Sequence, residues 1–122
     1  MSASLILNDP TLLQTNAFID GVFTAAPNGK TFAVRNPANG EIIAEVADCG
    51  ADDIARAIDA ADTARHSWAA TTAKERSAIL RKWNDLCLEN IDDLAAILTA
   101  EMGKPLAEAK GEILYGTSFI DW

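Results

Sequence analysis

The chain is short of the residues that most often carry chemistry. It has two cysteines and one histidine in 122 residues. Cys49 and Cys87 lie far apart, with no Cys-x-x-Cys and no histidine at ligand spacing, which excludes a structural zinc site and a disulfide framework. Cations are scarce as well: 10 Lys and Arg stand against 18 Asp and Glu, a formal charge of -8. Nucleic-acid binding relies on Lys and Arg displacing phosphate counterions, so no nucleic-acid partner is expected. The apolar stretch near the start, up to Leu7, is too brief to span a membrane and has no basic residues ahead of it, so it is neither a signal peptide nor an anchor. No membrane partner is expected, and a reducing cytoplasm is the expected compartment. The seven glycines form neither a Gly-x-Gly-x-x-Gly nor a Walker-type loop, so the chain holds no phosphate cradle of its own.

What it does have is apolar substance, 49% of the residues, enough to exclude a disordered tail. The pattern divides near Gly50. Before it, residues 1–49 read as hairpins: Asp9-Pro10 opens a short turn, and Asp20-Gly21 joins extended runs that cross near Phe18, Ile19, Val22 and Phe23. Lys30 to Arg35 and Glu41 to Ala47 read as a second strand pair around the Asn36-Pro-Ala-Asn-Gly40 turn. Few large core residues occur in this part, so it needs another layer to lie on.

From 50 to 122 the period becomes helical. Asp52 and Asp53 load the first turn of a helix whose stripe is Ile54, Ile58, Ala61 and Trp68. Thr72-x-x-Glu75 is a capping box for a second helix, expected to bury Ile79, Leu80, Trp83, Leu86 and Cys87. Asn90 reads as a fresh cap ahead of Ile91, Leu94, Ala95 and Leu98, and Gly103-Lys104-Pro105 is a stop followed by a restart. Leu106, Ala109, Ile113, Gly116 and Ile120 mark the face of the fourth helix. The fold class expected is α+β: short antiparallel strands, then four helices.

The fourth helix runs out on Phe119, Ile120, Asp121 and Trp122 without the Gly, Asn or basic last turn that usually closes a helix, and Asp121 stands where the dipole disfavours a carboxylate. The expectation is that the sequence continues past Trp122. Titratable groups offer little else. Cys49 and Cys87 read as small apolar fillers, His66 as a solvated helix residue, and the pairs Asp52/Asp53 and Asp92/Asp93 as helix capping rather than acid and base.

Four words of sequence in order, Phe18-Ile-Asp-Gly, Asn36-Pro-Ala-Asn-Gly-Glu41, Ala73-Lys-Glu-Arg-Ser-Ala-Ile-Leu-Arg-Lys-Trp83 and Glu101-Met-Gly-Lys-Pro-Leu-Ala-Glu-Ala-Lys-Gly-Glu-Ile113, together resemble the N-terminal region of the aldehyde dehydrogenase superfamily. The last word and the Ser118-Phe-Ile-Asp-Trp122 after it are most similar to its bacterial succinate-semialdehyde branch. Members are about four times as long. The resemblance implies that residues 1–122 are the first part of the nucleotide-binding domain of an α/β enzyme that oxidises an aldehyde, here succinate semialdehyde, to the acid with NADP or NAD. In that chemistry a cysteine thiolate attacks the aldehyde, hydride leaves to the nicotinamide, and a glutamate activates water.

Those groups match no residue of this chain, so the resemblance implies no catalytic and no cofactor-binding residue among 1–122, no cofactor held by the segment alone, and no activity of the segment alone. Its expected partners are the remainder of the same enzyme and, in the whole protein, the aldehyde and further copies in a homo-oligomer. One positive carry-over is a monovalent cation held by the Val34-Arg35 backbone and Glu101, an oxygen set that suits a hard cation; the competing reading of Glu101 is a surface carboxylate at a helix end. A competing reading is a self-contained helical module that presents Tyr115, Phe119 and Trp122 to a partner helix. It leaves the β-rich first fifty residues without a purpose.

Overall fold

A computed structural model describes residues 5–122. The first apolar run therefore lies partly outside the described residues. Leu5 to Thr15 form a strap that includes one 3-10 turn, Pro10–Leu12, capped by Asp9, whose side chain accepts the Thr11 N–H at 2.9 Å. The strap is tied to the second strand pair where Ala47 N–H donates to Thr15 C=O at 2.8 Å.

Strands β1 (Ala17–Ile19) and β2 (Val22–Thr24) form the expected hairpin, with Phe18 opposite Phe23 and Ile19 opposite Val22. Asp20 and Gly21 both have positive φ, 52° and 78°, the condition for a two-residue turn whose twist matches the strands. The Phe18 and Phe23 rings sit 5.1 Å apart. Strands β3 (Thr31–Arg35) and β4 (Ile42–Ala47) make a separate antiparallel pair. Their register shifts between Val34 and Arg35, which brings Arg35 opposite Ile42. Two Asn side chains shape the connection: Asn36 Oδ1 accepts Ala38 N–H and Asn39 Oδ1 accepts Glu41 N–H.

Four helices complete the chain: α1 (Ala51–Ala70), α2 (Ala73–Glu89), α3 (Ile91–Met102) and α4 (Leu106–Asp121). At the start of α1 the Gly50 N–H donates to Asp53 Oδ2 at 2.9 Å, and Arg56 binds the other oxygen at 2.5 Å. The capping box of α2 closes as expected. Thr72 N–H donates to Glu75 Oε2 at 2.7 Å, and Glu75 N–H donates to Thr72 Oγ1 at 3.2 Å. Helix α3 ends at Gly103, which takes the left-handed conformation at φ 78°.

The core is small, and it is made of small residues. Ala95 on α3 and Ala109 on α4 are wholly buried where these helices pack, and α2 also packs on α4. Two expectations are corrected. Ile79, Leu80, Trp83 and Leu86 of α2 are exposed and Cys87 is half-buried, because the residue α2 buries is Asn84 and its largest apolar residues are left outward. The α1 stripe is likewise open: Ile54, Ile58 and Trp68 are exposed, since α1 meets little beyond β1. Asn90 does not cap α3 with its side chain; its Nδ2 donates backward to Leu86 C=O and closes α2 instead. Asp121 also gains a partner that sequence did not suggest, with Arg81 at 3.2 Å offsetting its place at the negative end of α4.

Candidate functional site

A half-open cleft of about 580 Å³ lies between the strap, the β3–β4 connection, α3 and the start of α4. Leu5 and Leu13 of the strap form one wall, Asn36 and Ile43 a second, and Thr99 with Leu106 a third. It is mostly apolar. Thr99 carries a buried hydroxyl oxygen without a hydrogen-bond partner among the described residues.

Beside this cleft the ends of β3 and α3 meet. A Cβ on Gly103 would stand 3.1 Å from Pro37 Cγ, so glycine is needed there for close approach as well as for its left-handed φ. Val34 is half-buried on β3, and Glu101 is exposed in the last turn of α3. The residues expected to bind a cation, Val34-Arg35 and Glu101, precede Pro37 and Gly103 in the chain. Their oxygens are a hard donor set. Among the described residues, no cluster of three or more His, Cys, Asp or Glu side chains gathers at metal-ligand distance.

Three carboxylates are tuned by their hydrogen bonds. Arg56 and the Gly50 N–H hold the Asp53 carboxyl below its ordinary pKa. The backbone N–H and hydroxyl of Thr72 do the same for Glu75. Asp93 is lowered by the backbone N–H groups of Asn8 and Asp9, with the Asn8 side chain adding to them. Each is tied into a helix start or onto the strap. Asp52/Asp53 divides as capping predicts, with Asp53 closing the helix start. In the second pair, Asp92 reaches Lys110 of α4 at 2.5 Å, while Asp93 leaves its own helix start and grips the strap. Sequence reading missed that grip because Asn8 and Asp93 are 85 residues apart.

Cys49 is half-buried beside the start of α1, Cys87 half-buried on α2, and His66 exposed on α1. No contact unites these three. Apolar surface is the more conspicuous feature. Tyr115 and Phe119 pack edge-to-face at 4.8 Å on the side of α4 away from its buried Ala109 and Thr117, and Trp122 continues that face. A helix that is apolar on two opposite sides is built to be covered on both.

The profile of the aldehyde dehydrogenase family matches residues 23–122. The glutarate-semialdehyde dehydrogenase of Pseudomonas aeruginosa is 54% identical over 116 residues, covering 95% of this chain and 24% of that protein. The NADP(+) succinate-semialdehyde dehydrogenase GabD of Escherichia coli is 53% identical over 116 residues, again 95% of this chain and 24% of the relative. Among solved structures, succinate-semialdehyde dehydrogenase from Burkholderia pseudomallei superposes with a TM-score of 0.93 at 55% identity, over 95% of this chain and 24% of that one. The chain belongs to the aldehyde dehydrogenase family. Its strands and four helices are the N-terminal part of that fold, and it spans about a quarter of the length of the curated relatives it matches. The match also takes in most of the β-rich part, which the helical-module reading had left without a role.

Proposed function

We propose that this segment is the N-terminal portion of the nucleotide-binding domain of an NAD(P)-dependent dehydrogenase that oxidises an aldehyde bearing a distal carboxylate. The observation that carries the proposal is the near-equal identity to relatives named for glutarate and succinate semialdehyde. Those two substrates share a chain that ends in an aldehyde at one end and a carboxylate at the other. Succinate semialdehyde with NADP is the pairing taken for this chain, by its likeness to the E. coli relative.

In this reading the segment does no chemistry alone. Its work is to brace the nucleotide-binding layer. The exposed faces of α1, α2 and α4 are surfaces for the remainder of the same enzyme, which supplies thiol, base and nicotinamide pocket and forms the homo-oligomer. Covering one large apolar side chain contributes about 1.5–3 kcal/mol, so burying Trp83, Tyr115 and Phe119 is a large term beside a net stability of about 5–15 kcal/mol. The Val34-Arg35 backbone and Glu101 serve as oxygen ligands for a monovalent cation that ties β3 to α3.

A hydride-transfer assay tests the division of labour. The purified 122-residue chain with succinate semialdehyde and NADP is expected to show no NADPH formation above a heat-inactivated control, because positioning and the activated thiol supply most of the rate. Turnover above that control would refute the proposal.

A further inference from the structure

We propose that Asp93 is the latch of an N-terminal strap, and that this strap is the removable wall of the cleft between β3–β4 and α3. Asp93 is 4% exposed, and its two side-chain oxygens accept three hydrogen bonds from two consecutive strap residues. Asn8 N–H and Asn8 Nδ2 reach Oδ1 at 2.9 and 3.0 Å, and Asp9 N–H reaches Oδ2 at 2.8 Å. A carboxylate spread over two adjacent backbone donors fixes direction as well as position, since both N–H groups must point the same way.

The strap's other holds are weaker: Leu5, Leu7, Leu12 and Leu13 are only half-buried. Its 3-10 turn is three residues long with no buried side chain, and Asn8, Asp9, Pro10 and Thr11 are exposed. Beyond Asp93, a polar tie to the rest of the fold comes at its far end, in the Ala47–Thr15 backbone bond. Leu5 and Leu13, on either side of the latched pair, line the cleft. Release at residues 8 and 9 therefore frees the segment ahead of Thr15 and removes a wall of the cleft, opening the way to the Thr99 hydroxyl. Asp92 is engaged with Lys110 and Asp9 with Thr11, so neither neighbouring carboxylate stands ready to replace Asp93.

Amide hydrogen exchange on the whole 122-residue chain tests this, with α2 as internal reference. In Asp93→Asn, the amides of residues 8, 9 and 11–13 are expected to exchange about tenfold faster or more, the scale of losing hydrogen bonds to a charged acceptor, while α2 amides keep their rates. Asn8→Pro, which deletes both Asn8 donors and leaves Asp93 and its bond from Asp9 intact, is expected to loosen the remaining strap amides. Unchanged strap protection in Asp93→Asn would overturn the latch. Equal loss across strap and α2 in both variants would also overturn it, because the strap would then be part of the cooperative core and not a removable wall.

Discussion

Replacing Gly103 by alanine separates backbone strain from close packing, because Gly21 provides a matched control. Both glycines have φ of 78°. Holding an L-residue in the left-handed region costs about 1–2 kcal/mol, and the lower entropy of the unfolded alanine chain returns about 0.4–1 kcal/mol. Gly21→Ala, whose new Cβ meets nothing within 4 Å, should therefore destabilise by about 0.5–1 kcal/mol net. At Gly103 the new Cβ must also share space with Pro37 Cγ at 3.1 Å, closer than ordinary contact. Overpacking at the mild end adds about 1 kcal/mol, so Gly103→Ala should lose about 1.5–2 kcal/mol in total. Urea unfolding followed by far-UV circular dichroism measures both, with equal m-values required for the comparison. If the two variants lose the same stability, the β3–α3 junction is not tightly packed at Pro37, and close approach is no reason for glycine at 103.

Four other outcomes rest on the same geometry. Thr72→Ala should destabilise by about 1 kcal/mol through loss of the α2 cap, and an unchanged midpoint would remove the capping box from the account. Asp53, Glu75 and Asp93 all have pKa values lowered by folding, so the stability they contribute is fully present above the ordinary carboxylate range and is lost as pH falls through the lower folded values. An Asp53→Asn, Glu75→Gln, Asp93→Asn triple variant should show a flatter loss of stability on acidification; an identical acid profile would contradict those shifts. Trp83→Gln should leave the stability of the 122-residue chain within about 0.5 kcal/mol, since its side chain is exposed, and a larger loss would show that it already packs within it. When the segment is joined to the remainder of a relative, potassium or sodium should raise the melting temperature, and Glu101→Gln should abolish that rise; a cation effect that survives the substitution would exclude Glu101 as ligand.

Much of the fold was legible because its local signals agree. Asp20-Gly21, the Asn36 to Gly40 turn, Thr72-x-x-Glu75 and Gly103 each set a boundary through their own backbone or side-chain chemistry, and the structure places the boundaries there. Burial was less legible. The stripe of Ile79, Trp83 and Leu86 has helical spacing whichever neighbour covers it, so periodicity finds the face without saying what lies on it. Asp93 and Asp121 show the second limit. Their positions suggested helix-end electrostatics alone, whereas their partners, Asn8, Asp9 and Arg81, come from elements distant in sequence. The candidate cation residues were named by resemblance, and the structure adds the approach of Gly103 to Pro37 beside them.

The role proposed for this segment is to brace a semialdehyde-oxidising active site built by other residues. A chimaera in which it replaces the aligned quarter of the E. coli relative puts that claim to the most direct test. Purified and verified as folded, the chimaera should reduce NADP with succinate semialdehyde at a kcat/KM within about tenfold of the parent, a difference of about 1.4 kcal/mol in transition-state stabilisation. A folded chimaera of the parent's oligomeric size with no NADPH formation would contradict it.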